Sequence, residues 1–123
     1  MALKMIRLEL AREKDHPEGD PRQGYEFIAP LNEAGRFSPD EWHRSKKRCT
    51  VRQFKPDGAD LHGMLIHTGS GAWAFSYDPL SDDDDETVFR LDAHVLRPGE
   101  YVSVKEPDGD MHTFRVTKVL PIP

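Results

Sequence analysis

Residues 101–119, YVSVKEPDGDMHTFRVTKV, constrain this chain more than any other stretch. Val102 and Val104 alternate with Ser103 and Lys105, and Phe114 and Val116 alternate with Thr113 and Arg115. Each run is therefore apolar on one side at a period of two, the signature of a half-buried strand. Between the runs, Pro107 presets φ, Asp108 favours a turn and Gly109 is free to take positive φ. An antiparallel hairpin turning at Pro107-Asp108-Gly109 is predicted.

The same grammar recurs along the chain. MIRLELA (5–11) alternates Ile6, Leu8 and Leu10 against Arg7 and Glu9, and YEFIAPL turns Tyr25, Phe27 and Ala29 to one face, with Pro30 confining it to a strand end or sheet edge. Further short strands are predicted over 49–54, 61–67, 72–78 and 86–92, separated by KPDGAD, TGSG and the aspartate run. Residues 14–24, KDHPEGDPRQG, read as a long loop. The one helix signal is SPDEWHRSKKR, with Ser38 at the cap, Pro39 at the first helical position, Glu41 completing a capping box and Lys46, Lys47 and Arg48 in the last turn. The prediction is a mainly β fold: a small antiparallel β-barrel or strongly curled sheet of about six to eight strands with one short α-helix over about 38–48. Trp73, Phe75, Tyr77, Phe89, Leu91, Val102, Val104, Phe114 and Val116 are expected to lead its core.

The length of 123 residues fits one domain spanning 1–123. Hydrophobic residues make up 37% and charged residues 32%, a lean balance in which two Trp, three Tyr and six Phe supply the bulky apolar area. Lys and Arg number 17 against 22 Asp and Glu, for a net charge of −5, which argues against attachment to nucleic acid or an anionic membrane. The opening MALKMIRLELAREK is too charged for a signal-peptide core, and no apolar run is long enough to span a membrane as a helix. A single cysteine, Cys49, leaves no intramolecular disulfide and suits a reducing compartment, so a cytoplasmic monomer is expected. RPGEYVSVKEPDGDMHTFRVTKV, HPEGDPRQGYEF and the aspartate run together resemble small uncharacterised bacterial proteins that have no assigned activity. PGEYVSV also resembles stretches of many small β-barrel domains. Neither resemblance implies a catalytic residue.

Chemistry-bearing residues are scattered. The run Asp82-Asp83-Asp84-Asp85-Glu86 lacks the glycine and the alternating ligand spacing of a calcium loop, and reads as a solvated hairpin tip with no specific cation. Six histidines occur, but no HExxH, HxH or CxxC spacing does, and His62 and His67, five apart on one strand, face opposite ways. Ser70 lies in GSG between strands, which is not an esterase elbow, and Cys49 reads as a small buried apolar residue. No cofactor or metal is expected. Trp42, Arg44, Lys46, Lys47, Arg48 and Arg52 form the candidate contact surface, suited to a protein partner or a small anionic ligand. The expected function is a non-catalytic binding or interaction module. The alternative is a small enzyme with a His/Asp site, with or without a metal's assistance, built from His62 or His67 with His112.

Overall fold

The computed structural model describes residues 2–58, 60–69, 71–81, 83–88 and 90–122. These residues form eight strands: β1 (Ala2–Leu10), β2 (Asp20–Leu31), β3 (Thr50–Phe54), β4 (Leu61–His67), β5 (Trp73–Ser76), β6 (Glu86–Val88), β7 (Tyr101–Lys105) and β8 (Met111–Pro121). Each pairs antiparallel with its successor and β8 returns to β1, so the sheet closes into a barrel. With closure every one of these strands has a neighbour on both sides, so none is an end strand of the sheet. The hairpin over 101–119 is present: Val104 pairs with His112 and Val102 with Phe114, Gly109 takes φ 92°, and Glu106 N–H donates to Asp110 O across the turn.

Period-two alternation fills the lumen. Ile6 and Leu8 from β1, Tyr25 and Phe27 from β2, Leu65 from β4 and Phe75 from β5 are all buried. Tyr25 lies 4.9 Å from Phe75 and 5.1 Å from Phe114 between ring centroids, and Phe27 lies 5.2 Å from Phe75. An eight-stranded barrel is about wide enough for side chains to fill, or for one small ligand. Of the expected core residues, Trp73, Phe75, Leu91, Val102, Val104, Phe114 and Val116 are buried, and Tyr77 is half-buried at one rim. Phe89, like Ser70 and Asp82, lies outside the described residues.

Two local expectations change, and the expected short helix is present with a tightened last turn. The strand expected over 86–92 stops at Val88; Arg90 takes a left-handed φ of 54° and Leu91–Ala93 form a 3-10 turn, from which Leu91 is buried. The inward residues of β6 are consequently Glu86 and Val88, and a one-residue change of register reverses which side chains face in. The loop expected over 14–24 is shorter, because β2 already begins at Asp20. There Leu10 pairs with Asp20 while Glu9 pairs with Gly24, and the loop-like residues Pro21, Arg22 and Gln23 are absorbed as a bulge. The helix α1 (Pro39–Ser45) continues only as a 3-10 turn over Lys46–Arg48. Ser38 Oγ does accept from Glu41 N–H, but Ser38 N–H donates to Pro30 O and the Glu41 carboxylate accepts from Arg44, so half of the capping box forms.

Candidate functional site

The two ends of the barrel differ. At the end where β2 leads into α1, the helix lays Trp42 against the lumen: its indole Nε1 donates to Leu65 O at 3.1 Å, and its ring meets Trp73 edge-on at 4.9 Å. Phe37 packs on Trp73 at 4.6 Å and His67 stacks on it at 4.5 Å. These rings plug that end. The opposite end carries the β1–β2 loop (residues 11–19), the described residues of the β3–β4 turn (55–58 and 60) and of the β5–β6 loop (77–81 and 83–85), and the β7–β8 turn (106–110), and a cleft opens among them.

On its floor lies Glu86, only 3% exposed. Tyr25 donates its hydroxyl to Glu86 Oε2 at 2.8 Å and Tyr77 donates to Oε1 at 2.6 Å. A buried carboxylate is costly unless hydrogen-bonded, and these two donors come from strand β2 and from the first residue after β5. Above it opens a cleft of about 290 Å³, lined by Gln53, Lys55, Leu61, Tyr77, Asp84, Glu86, Glu106 and Pro107. A smaller recess of about 40 Å³ shares Gln53, Lys55 and Glu106 and reaches Tyr25. Gly63 makes the Tyr77 position possible: a Cβ there would stand 2.1 Å from Ser76 O and 2.9 Å from Tyr77 Cδ1.

Burial pushes the Glu86 carboxyl upward, against the downward pull of the Tyr77 and Tyr25 hydroxyls; nearby Glu106 adds to the rise and Lys55 opposes it. Burial also raises both tyrosines, and the Glu86 charge raises them further. The phenols therefore stay protonated as donors. A carboxylate has roughly four lone-pair sites, and two phenols occupy two of them. Remaining lone pairs on Glu86, the phenol oxygens and the Gln53 amide can meet a ligand that brings its own hydrogens.

The contact surface expected from sequence does not assemble as one patch. Trp42 is buried in the plug, although Lys46 Nζ lies 5.8 Å above its ring. Arg44 pairs with Glu41 at 2.6 Å. Arg52 is on the outer wall, where it bonds Glu26 and reaches Asp60 at 2.8 Å, while Arg7 bonds Glu26 at 2.9 Å and Glu9 at 2.7 Å. Phe54 is covered by those two guanidinium groups, Arg7 at 4.2 Å and Arg52 at 5.2 Å. Lys46, Lys47 and Arg48 are exposed at the plugged end.

The histidines do not converge either. His62 is exposed on the outer wall of β4, His67 stacks in the plug, and His112 is at the open rim against Glu13. Among the described residues no cluster of three or more His, Cys, Asp or Glu is placed to hold a metal ion. Cys49 is buried, and burial pushes its thiol up to about 11. Of the aspartate run, Asp83 and Asp84 are exposed and Asp85 is half-buried in the loop joining β5 to β6, while Asp82 lies outside the described residues. Glu86, its last acidic residue, leaves that loop to enter the lumen.

The site thus rests on residues that sequence reasoning valued for packing or passed over. The alternation through Tyr25 and Phe27 already turned Tyr25 inward, but nothing local revealed that a glutamate would meet it. Structurally, this is a small closed β-barrel with one plugged and one open end. Compared with family models, curated proteins and solved structures, the chain matches none.

Proposed function

We propose that this barrel is a non-catalytic binding module that takes a small organic ligand in its open end. The observation that carries the reading is Glu86, buried on the floor of the cleft between the Tyr25 and Tyr77 hydroxyls. Ligand sites are typically concave, with apolar walls and a few fixed polar groups; here Leu61, Tyr77 and Pro107 offer the wall and Glu86, Gln53 and Lys55 the polar groups. Asp84, Glu86 and Glu106 outnumber Lys55, so the fitting ligand has a neutral or cationic head that donates hydrogen bonds. Proton-transfer chemistry is poorly served, because both phenols are held protonated and Glu86 already accepts from both. The enzyme reading from His62 or His67 with His112 gains no support from three rings that stand apart.

The charged network Arg7–Glu26–Arg52 on the outer wall suits a barrel in water, since lipid-facing walls are apolar. Among the described residues no helix is long and apolar enough to cross a membrane. A reduced, buried Cys49 fits a monomer in a bacterial cytoplasm.

The test is an amide-shift titration at neutral pH with benzyl alcohol, benzylamine and benzoate as probes. Expected are saturable shifts centred on Tyr25, Gln53, Tyr77 and Glu86 with the first two probes and weaker ones with benzoate. Reversing Lys46 and Lys47 to Glu should leave these shifts unchanged. If no probe gives saturable shifts at the open end, the reading is wrong.

A further inference from the structure

At the open rim, His112 stands between carboxylates from two different loops. Its Nδ1 lies 2.9 Å from Glu13 Oε2 and its Nε2 lies 3.9 Å from Glu106 Oε2. Glu13 belongs to the β1–β2 loop, where its second oxygen meets His16 Nδ1 at 3.1 Å and its backbone exchanges hydrogen bonds with His16. Glu106 opens the β7–β8 turn and also lines the cleft. The loop is tied to β8 by the backbone bond from Ala11 N–H to Thr113 O at 3.0 Å and by the Glu13–His112 contact. Gln23, 3.4 Å from His16, braces the far side.

A neutral imidazole has one N–H and one lone pair, so it can donate to Glu13 only by presenting its lone pair toward Glu106. An imidazolium donates from both nitrogens and faces both carboxylates favourably. We infer that His112 is a proton-operated latch on the open end: charged, it ties the β1–β2 loop to the β7–β8 turn, and on losing its proton it frees Glu106 toward the cleft. This is regulation of the ligand site and rests on that reading of the cleft.

The surrounding charges agree. From the β1–β2 loop, Glu13 and His16 face this cluster; from the β7–β8 turn, Glu106 and Asp110 do. The bond to Glu13 holds His112 above the ordinary histidine value of 6.5 against the effect of burial, with Glu106, Glu13 and Asp110 adding to the rise. The bond to His112 holds Glu13 below its ordinary 4.5, again against burial, with His16 assisting. For His112, raised in the fold, the stabilisation is complete below 6.5 and disappears as pH rises through its folded value. For Glu13, lowered in the fold, it is present above 4.5 and disappears as pH falls through its folded value. The latch is closed between those limits and opens on the alkaline side.

The experiment follows the His112 ring by NMR from pH about 5 to about 9, together with amide-exchange protection of residues 12–19 corrected for intrinsic rates. Protection should fall about three- to tenfold at the His112 midpoint, the size of a charged hydrogen bond discounted for partial exposure. Glu13→Gln should lower the His112 midpoint and flatten the step, and His112→Gln should show no step at any pH. Protection that is unchanged through the His112 titration, or a step that survives Glu13→Gln, overturns the latch. Benzyl alcohol affinity, measured across the same range, separates the two readings. Binding with no step in the loop refutes the latch and leaves the cleft reading standing, whereas a step with no binding at any pH supports the latch and refutes the cleft reading.

Discussion

Tyr25→Phe removes one oxygen and keeps the ring, so it isolates the bond to Glu86. The ring contacts with Phe75 at 4.9 Å and Phe114 at 5.1 Å remain, and no cavity larger than a hydroxyl is made. What is lost is a 2.8 Å hydrogen bond to a carboxylate that is 3% exposed. Bonds to charged groups contribute about 1.5–3 kcal/mol net, and a buried acceptor left without its donor sits at the upper part of that range. The expected cost at pH 7 is about 2–3 kcal/mol. Tyr77→Phe removes a shorter bond, 2.6 Å, from a half-buried residue at the rim, where water can replace the hydroxyl. Its expected cost is smaller, about 1 kcal/mol. Exposure, not length, decides the order. Because the Tyr25 hydroxyl pulls the Glu86 carboxyl down, its loss lets that carboxyl rise further and protonate sooner on acidification. The Tyr25→Phe penalty should therefore shrink as pH is lowered toward 4. In a Glu86→Leu background the same substitution should cost nothing or stabilise, since both polar partners are then gone. Urea denaturation of the wild type, the three single variants and the Glu86→Leu/Tyr25→Phe double variant at pH 7 and at low pH measures all of this. A Tyr25→Phe cost below about 0.5 kcal/mol, or one smaller than that of Tyr77→Phe, would refute the reasoning.

Gly63→Ala should destabilise by about 2–4 kcal/mol, because the new methyl meets the Ser76 carbonyl at 2.1 Å and displaces Tyr77; thermal unfolding and the Tyr77 ring signals check it. Asp20 is held down at about 2, chiefly by the Arg22 side chain and backbone N–H, so it contributes stability above the ordinary 3.8 that is lost as pH falls through about 2. Asp20→Asn should be less stable at neutral pH and flatter in its acid unfolding between those values, as followed by circular dichroism.

The framework was legible because the hairpin at 107–109, the period-two runs and the Ser38-Pro39 cap are all local signals, and each acts within a few residues of itself. The register of β6 was not. ETVFRLD carries apolar residues of both parities, Val88 on one and Phe89 and Leu91 on the other, so alternation alone could not choose. What decides is the satisfaction of Glu86 by Tyr25, 61 residues away in sequence, and by Tyr77. The same holds for Arg52, which reads as part of a basic cluster beside Lys46–Arg48 until pairing with β2 brings it to Glu26. The buried Trp42 was misplaced for a related reason. An amphipathic two-turn helix shows which residues share a face, while the closed wall beneath it determines which face is covered.

The most direct measurement of the central claim is the side-chain carboxyl ¹³C titration of Glu86, recorded free and saturated with benzyl alcohol. If the open end is the ligand site, the free protein should show Glu86 titrating above an ordinary glutamate, and the probe, by donating to the carboxylate, should lower that midpoint. A Glu86 that titrates identically with and without the probe would contradict the account.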